Sequence, residues 1–472
     1  MSEKKNIGII AGFNPRAAQE IKARLLAQPE DIDVILTQDV FKHSEDPTFA
    51  LSDRKIFAFN ETQLLEEMGA DLVLIPDFKC GDFIGELQTE VQIKVLDIKS
   101  ALMSQMGEKT PCLGILSVEN AAHCIGGACS MSQKFSMLFP DEEQNQQLAQ
   151  VRCQIRQEGI TPESYEVIKR VAQSLVEKGA ELIVPNCSNF ALAYDALIED
   201  GLPVVDVFEA LVKAALAEPA TRLPKPFKLG LIGGLGPAAT VDLFDKIVKA
   251  TPAKNDQEHF KLVIEENPQI PDRTACLLEE GTDPTLAMYN CAKRLQNDGC
   301  DAILIPCNTA HAFLPRLLRG LTVPFIDMQE TMLNKIKDEF GENARIGLMA
   351  TTGTIRTGIY SQKAQKMGLK IFTPQPQYQE RVMAAIYGPK GAKAGYTDGV
   401  CYEDLYAAAE HLVSEYDCNV LILGCTELPL IFHECNDFAC AGKTVAIVDP
   451  TATLARKAVE VAMATNKERG TR

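Results

Sequence analysis

Short aliphatic runs alternate along the chain with longer segments in which apolar residues recur every three or four positions. The short runs predict buried strands and the longer segments predict amphipathic helices, an alternation typical of βαβ units and a parallel sheet. The predicted strands lie at residues 7–11, 72–75, 113–116, 182–184, 229–232, 262–264, 302–305, 346–349 and 420–423. Residues 218–227 contain three prolines and lack this periodicity, so they predict a linker between two domains, 1–217 and 228–472.

The two predicted domains repeat one another. Three pairs of segments match in the same order: 6–18 with 228–240, 72–98 with 302–328, and 181–190 with 419–428. Such an ordered series of matches indicates a tandem duplication. Within each copy the strand–turn pattern occurs twice, which predicts four α/β lobes at about 1–110, 111–217, 228–342 and 343–472. The expected fold is therefore two copies of a two-lobed α/β unit with parallel, Rossmann-like or flavodoxin-like sheets.

Composition and charge limit the function. The chain has 472 residues, and its 47 Lys and Arg against 64 Asp and Glu leave a formal net charge of −17. Such a surface repels phosphate backbones and anionic lipid, so we expect a small-molecule substrate and neither a nucleic-acid nor a membrane partner. No apolar run approaches the roughly 20 residues that span a bilayer, and the first residues lack the apolar segment of a signal peptide.

The 15 cysteines of this chain predict free thiols in a reducing compartment, and hence a cytoplasmic protein. No CxxC pair occurs, and neither Cys124 with Cys129 nor Cys435 with Cys440 has a matching His or Cys pair nearby. We therefore expect no metal site.

Polar residues at the carboxyl ends of the predicted strands are the candidates for chemistry, because ligands bind there in parallel α/β sheets. In the C-terminal copy two of these strand ends carry a cysteine, Cys307 and Cys425, each followed by small polar residues that can cap a helix. A helix N-terminus is expected to lower the pKa of such a thiol. Two thiols facing each other across a cleft could invert a carbon centre, one removing a proton and the other returning one. The alternative is that both are buried apolar thiols.

Five motifs of this copy, in this order, resemble the cofactor-independent aspartate/glutamate racemases: GGLGPAAT (233–240), IPDRT (270–274), PCNTAH (306–311), ATTGT (350–354) and GCTELP (424–429). The GGLGP opening is closer to the aspartate racemase branch. The resemblance implies Cys307 and Cys425 as the catalytic thiols, with neither pyridoxal phosphate nor a metal.

The resemblance also implies a set of substrate-binding residues. Around the α-carboxylate and amino group it places Asn308, Thr309, Thr352 and Thr426. Arg273 matches the arginine that holds the distal carboxylate, and Lys393 matches a lysine with the same role, the alternative for Lys393 being a solvated loop residue. His311 and Glu427 are candidate supporting residues, although a packing or capping role would also explain His311.

The N-terminal copy departs from this pattern at each chemical position. Asp77 occupies the place of Cys307, Glu45 that of Arg273 and Glu119 that of Thr352, while Cys187 alone keeps a thiol, opposite Cys425. Three added negative charges are expected to repel a dicarboxylate. We interpret this copy as a degenerate site and favour that reading over one-base chemistry at Cys187. The copy could act as a built-in partner in an intramolecular pseudo-dimer, and a homodimer is also open.

Three alternatives remain beside an aspartate or glutamate racemase. Residues 234–239 fit the G-x-G-x-x-A pattern of a dinucleotide site, but Pro237 removes a backbone donor where the pyrophosphate would sit. A non-catalytic protein that binds small carboxylates is the second. The third is another two-cysteine enzyme, such as a broader amino-acid racemase, a hydantoin racemase or a maleate isomerase. Arg273 favours an acidic side chain but does not separate aspartate from glutamate, which differ by one methylene.

Overall fold

Four β-sheets organise this chain in a computed structural model, which describes residues 4–42, 49–106, 108–118 and 134–471. The chain divides into two compact units, residues 1–224 and 225–472. The division lies inside the proline-containing segment, where residues 219–227 form neither helix nor strand.

The N-terminal unit contains two parallel sheets. The first has the order β2-β1-β3-β4, with β1 at Lys5–Ile9, β2 at Ile32–Leu36, β3 at Leu72–Ile75 and β4 at Lys94–Asp97. The second has the order β6-β5-β7, with β5 at Leu113–Leu116, β6 at Met137–Leu138 and β7 at Leu182–Pro185. Its helices among the described residues are Pro15–Leu26, Ala50–Glu67, Ile84–Glu90, Ile98–Met106, Glu142–Glu158, Pro162–Glu177, Ser188–Ala191, Tyr194–Glu199 and Val207–Ala217.

The C-terminal unit also has two sheets. The first has the order β10-β8-β9, with β8 at Lys228–Gly233, β9 at Lys261–Glu266 and β10 at Ala302–Leu304. The second has the order β12-β11-β13-β15-β14, with β11 at Arg345–Ala350, β12 at Lys370–Phe372, β13 at Val420–Gly424, β14 at Cys435–Cys440 and β15 at Lys443–Val448. All pairings are parallel except that of β14 with β15.

Helices cover these sheets in the C-terminal unit as well. They are Pro237–Ala250, Arg273–Leu278, Thr285–Asn297, Leu314–Leu317, Met328–Phe340, Thr352–Thr357, Ile359–Lys366, Pro376–Tyr387, Val400–Tyr416 and Pro450–Arg469. Short 3-10 turns follow two of its strands, Thr309–Ala312 after β10 and Leu428–Leu430 after β13. No helix among the described residues combines the length and the apolar character needed to cross a membrane.

The helix Pro162–Glu177 illustrates how the sequence makes these elements. Thr161 caps its N-terminus in a capping box with Ser164, and proline occupies the first turn, where its missing N–H has no cost. The side chains of Ile168, Val171, Ala172 and Leu175 recur at three- and four-residue spacing, and all are buried. The helix therefore packs one apolar stripe against the second sheet of its unit.

The expected α/β fold of parallel sheets in two halves is confirmed. Each of the nine predicted strands is present, and the strand order repeats between the units: β2-β1-β3 corresponds to β9-β8-β10, and β6-β5-β7 to β12-β11-β13. Sequence reasoning missed six strands, β2, β4, β6, β12, β14 and β15. Most of these are short, or carry charged and half-exposed residues, so their apolar pattern is weak.

Candidate active site

Cys307 and Cys425 line one small cavity in the C-terminal unit, of about 10 Å³. Cys307 lies beyond the end of β10 in the first sheet of this unit, and Cys425 directly follows β13 in the second, so the two thiols come from two lobes. Both are buried, at 8% and 7% exposure. The full lining is Leu235, Asp272, Arg273, Thr274, Cys307, Asn308, Thr309, Thr351, Tyr387, Lys393, Cys425, Thr426 and Glu427.

Cys425 is coupled to a carboxylate. Its Sγ lies 2.9 Å from Glu427 Oε2, to which the thiol donates a hydrogen bond. Glu427 is buried, and its other oxygen lies 3.3 Å from Lys393 Nζ. Burial, reinforced by the Glu427 charge and this hydrogen bond, raises the pKa of Cys425 well above its ordinary value. Cys425 is therefore held as a thiol that can donate a proton.

The prediction of a lowered thiol pKa is wrong for Cys425. The element that follows it is a three-residue 3-10 turn, and the one beyond Cys307 has four residues. Such turns carry much less of an aligned dipole than a long helix. At Cys425, burial and the neighbouring Glu427 carboxylate raise the thiol pKa by more than the small dipole of this turn lowers it.

Arg273 places a positive charge beside Cys307. Its guanidinium donates to three backbone carbonyls, those of Leu235 at 2.6 Å, Pro271 at 3.0 Å and Ile270 at 3.2 Å. Burial lowers the pKa of Arg273, but its charge and hydrogen-bond interactions with Cys307 and the charge of Asp272 outweigh burial and raise it. Its Nε finds no hydrogen-bond partner within the described part of the chain.

Asn308 supplies a second unpaired donor. Tyr360 donates to its Oδ1 at 2.6 Å, and Gln329 donates to its backbone oxygen at 3.1 Å, which fixes the side chain. Its Nδ2 is buried and has no partner among the residues described. Buried donors without partners are rare, so Asn308 Nδ2 and Arg273 Nε mark where an anion would be bound.

Threonine hydroxyls form the remaining polar wall. Thr309 lies 3.1 Å from the hydroxyl of Thr351 and 2.9 Å from that of Thr354. Thr426 donates to the carbonyl of Pro306 at 3.1 Å. Thr352, expected at the substrate, instead accepts a hydrogen bond from Gln379 at 3.2 Å and does not line the cavity; its neighbour Thr351 does.

His311 lies behind the cavity wall. Its Nε2 accepts from the backbone N–H of Met328 at 3.2 Å, so its Nδ1 carries the proton and donates to the carbonyl of Cys307 at 2.9 Å. Burial lowers the pKa of His311, although the charge of Asp327 opposes this. A neutral His311 therefore ties the turn after β10 to the helix that begins at Met328, as in the packing alternative.

The glycine motif of this unit serves close packing. At Gly236, where φ is +151°, a Cβ would lie 2.4 Å from Glu427 Oε1. At Gly234, where φ is +84°, a Cβ would lie 2.2 to 2.5 Å from the backbone of Asn267 and Pro268. Both glycines thus permit close contacts that shape the site. The G-x-G-x-x-A pattern of residues 234–239 does not by itself indicate this packing role.

Asp77 and Cys187 line a different cavity, of about 590 Å³, in the N-terminal unit. Asp77 Oδ1 accepts from the backbone N–H groups of Lys79 and Cys80, and its Oδ2 lies 2.8 Å from Arg54 Nη1. Cys187 is half-buried, and burial raises its pKa. The structure thus puts a structural ion pair where the C-terminal unit has a thiol.

The described lining of this cavity has five basic and two acidic side chains. Of the three predicted acids only Asp77 is among the described residues, so the expected repulsion of a dicarboxylate stays a prediction. Glu45 and Glu119, the other two predicted acids, lie outside the described residues. No group of three or more His, Cys, Asp or Glu side chains in the described ranges could hold a metal ion. None of the described cysteines forms a disulfide.

Comparison with known proteins gives the family. The model of a family described as Asp/Glu/Hydantoin racemase matches residues 13–215 and 232–458, most of the chain. The chain therefore belongs to the Asp/Glu/hydantoin racemase family, and the predicted family is confirmed. The matched regions fall one in each unit.

Individual relatives agree with this family. The broad specificity amino-acid racemase RacX of Bacillus subtilis (strain 168) is 24% identical over 244 residues, which are 50% of this chain and 98% of the relative. The glutamate racemase of Aquifex pyrophilus is 30% identical over 159 residues, 33% of this chain and 58% of the relative. Among solved structures, the Picrophilus torridus aspartate racemase matches 52% of this chain and 95% of its own, with 27% identity and a TM-score of 0.42. The family match and the two curated relatives together support a racemase.

Proposed function

We propose that the C-terminal unit racemises an acidic amino acid, aspartate or glutamate, with Cys307 and Cys425 as the two acid/base groups and without a cofactor. The observation that carries this proposal is the cavity shared by two thiols from different lobes. The two thiols have neighbours of opposite charge: Cys307 lies beside the positive Arg273, and Cys425 lies beside the negative Glu427. This asymmetry suits a pair in which one sulfur begins as thiolate and the other as thiol.

The reaction follows from that asymmetry. The Cys307 thiolate removes the Cα proton, and the electron pair of the C–H bond moves onto the α-carboxylate. The Cys425 thiol then gives its proton to the opposite face of Cα, which inverts the centre and leaves Cys425 as the thiolate. Before the next turnover Cys307 must release to solvent the proton that it took, and Cys425 must regain one from solvent; Glu427 can pass that proton on to Cys425, because the two already share a hydrogen bond.

Polar groups of the cavity would hold the substrate's charge. Asn308 Nδ2, which has no partner among the described residues, and the hydroxyls of Thr309 and Thr426, which also line the cavity, would bind the α-carboxylate, where charge develops in the transition state. Arg273 Nε and Lys393 would hold the side-chain carboxylate. A cavity of about 10 Å³ has room for about one water molecule, so the site must open to admit an amino acid.

Exchange of the Cα proton tests the reaction directly. L-aspartate and L-glutamate are incubated separately with the full-length protein in deuterated water, and proton NMR and chiral chromatography follow the product. Deuterium at Cα together with the D-enantiomer is expected. Absence of exchange on both substrates, with the thiols verified as reduced, would reject the proposed activity.

Serine substitution assigns the thiols. C307S and C425S should each lower the racemisation rate at least about 10²-fold, because each removes a positioned acid/base group. C435S is the matched control, since Cys435 is a partly buried thiol of the same unit outside the cavity, and it should keep its rate. Equal activity in C307S, C425S and C435S would contradict the two-thiol mechanism.

We also propose that the chain arose by duplication of one racemase unit, with copies at 1–217 and 228–472 joined by 218–227, and that the N-terminal copy has lost this chemistry. The repeated strand order and the two family matches support the duplication. The ion pair of Asp77 with Arg54 supports the loss, because the position that carries a thiol in the C-terminal unit holds here a carboxylate tied to a guanidinium.

A further inference from the structure

We propose that the cleft of the N-terminal unit binds a small organic oxyanion with an apolar body, carboxylate or phosphate, and does not racemise it. The cleft lies between the two lobes of this unit, at the carboxyl ends of β3, β5 and β7. Its volume of about 590 Å³ falls within the range of about 300–1,000 Å³ typical of small-molecule sites. This inference does not depend on the proposed racemase activity.

The charge of the cleft favours an anion. A chain with a net charge of −17 here presents five basic side chains against two acidic ones. Two of the bases are neutralised, Arg54 by Asp77 and Lys99 by Asp82. Of the other three, Lys79 lies in the turn after β3, while Arg152 and Arg156 lie together on one wall of the cleft, which comes from the helix Glu142–Glu158.

Arg152 and Arg156 form that wall. They are four residues apart on this helix, so they lie on the same face, where two like charges disfavour the helix unless something neutralises them. Neither guanidinium makes a hydrogen bond or an ion pair with any residue that the structure describes. The positive charge of Arg152 acts on the Cys187 thiol, which places the guanidinium near the segment after β7.

Arg54 adds a buried donor on the opposite lobe. Its side chain is 8% exposed, and its guanidinium carbon lies over the rings of Phe13 and Phe41, 5.1 and 4.8 Å from their centroids. Its Nη1 lies 2.8 Å from Asp77 Oδ2, so this guanidinium is already neutralised by a carboxylate. Arg54 therefore gives the opposite wall of the cleft a charge-paired group held against two aromatic rings, and the charge left for an oxyanion is mainly that of Arg152 and Arg156.

The cleft also has an apolar surface. Phe78, Met137 and Phe139 line it together with the charged groups. A ligand that uses both surfaces is an organic anion and not a bare inorganic ion. The C-terminal site differs in charge balance and in volume: its lining has two basic and two acidic side chains, and its cavity measures about 10 Å³.

A single tryptophan can report on this cleft, because the chain contains none. F139W places a fluorophore in the cleft wall, and F340W provides a matched reporter in the C-terminal unit, outside its cavity. The probes are 3-phenylpropionate, phenyl phosphate and the neutral benzyl alcohol, titrated into the full-length protein. We expect a saturable change of the F139W emission with at least one of the two anions, and none with benzyl alcohol or with F340W. The two anionic arms decide between a carboxylate and a phosphate ligand.

Arginine variants then locate the charge. In the F139W background, R152Q/R156Q should raise the Kd of the bound anion at least tenfold, whereas R170Q, an exposed arginine of the same unit outside the cleft, should leave it unchanged. If circular dichroism shows the double variant to be unfolded, R156Q alone serves, since Arg156 is exposed. In the wild-type chain the same anion should slow alkylation of Cys153, which lines the cleft, but not of Cys112, which does not.

The outcomes separate the possibilities. Saturable binding that depends on the arginines supports the proposal whether or not the chain racemises any amino acid. No saturable response to either anion up to about 10 mM, which is weaker than about −3 kcal/mol of binding, would overturn it. So would binding that benzyl alcohol reproduces, or binding that R152Q/R156Q and R156Q leave unchanged.

Discussion

At the scale of single residues, the two candidate catalytic thiols differ in what neighbours them. Cys425 donates to a carboxylate at 2.9 Å, whereas Cys307 has a guanidinium beside it. Both cysteines come from similar strand-end motifs, yet opposite charges act on them. The pair is therefore asymmetric before any substrate binds.

Glu427 should control when Cys425 ionises. Its charge is among the causes that raise the pKa of Cys425, so E427Q should lower that pKa, and Lys393, freed of its carboxylate partner, should lower it further. We expect alkylation of Cys425 by iodoacetamide, followed by mass spectrometry across pH, to reach half its maximal rate at a lower pH in E427Q than in wild type. E403Q, an exposed carboxylate outside the site, should behave as wild type. An unshifted E427Q profile would show that burial alone sets this pKa.

At the scale of elements, the site depends on how turns are fastened to the helices behind them. His311 joins the turn after β10 to the N-terminus of the helix Met328–Phe340 through two hydrogen bonds. Gly234 lets the turn after β8 approach the backbone beyond β9. Each contact holds a segment that carries a site residue.

Acid should weaken the fold through His311. Its pKa is lowered in the folded chain, so below about 6.5 the unfolded chain binds a proton that the folded chain does not, and stability falls by up to about 1.4 kcal/mol per pH unit. Urea unfolding at pH 7.5 and 5.5 should show a smaller loss of stability in H311N than in wild type. H433Q removes an exposed histidine and should keep the wild-type dependence; equal dependence in H311N would exclude His311 as the source.

The glycine turn after β8 should tolerate no side chain at Gly234. G234A would bring a Cβ to 2.2 Å from the backbone of Asn267, in addition to the strain of a φ of +84°. G442A is matched, because its φ is +74° and its Cβ would meet nothing within 4 Å. We expect G442A to lose about 1–2 kcal/mol of unfolding free energy and G234A clearly more, measured by urea denaturation. Equal losses would mean that the turn can move aside.

At the scale of the whole molecule, two units of one family and one strand order have different sites. The C-terminal unit holds two thiols in a cavity of about 10 Å³, while the N-terminal unit has a cleft of about 590 Å³ with a basic wall. A duplicated chain can keep its apolar framework while its ligand-facing residues change, because the framework depends on strand and helix packing and not on those residues.

The separate sites of the two units predict that substitutions in the N-terminal cleft leave racemisation nearly unchanged. D77A and C187A should leave the racemisation rate within about twofold of wild type, because neither residue lines the cavity of Cys307 and Cys425. Chiral chromatography of aspartate and glutamate measures the rate, and C425S serves as the inactive reference. Loss of activity in C187A with C425S unaffected would assign the chemistry to the N-terminal unit.

The sequence by itself determined the α/β alternation, the central strands, the repeat and the strand-end cysteines, because these depend on residue type and on spacing along the chain. It also located the departures of the N-terminal copy, Asp77 in place of Cys307 among them. Only the tertiary structure decided that burial and Glu427 raise the pKa of Cys425, that Thr351 and not Thr352 faces the cavity, and that Arg54 neutralises Asp77. Burial, charge proximity and cavity volume arise from residues far apart in sequence, so no local pattern could specify them.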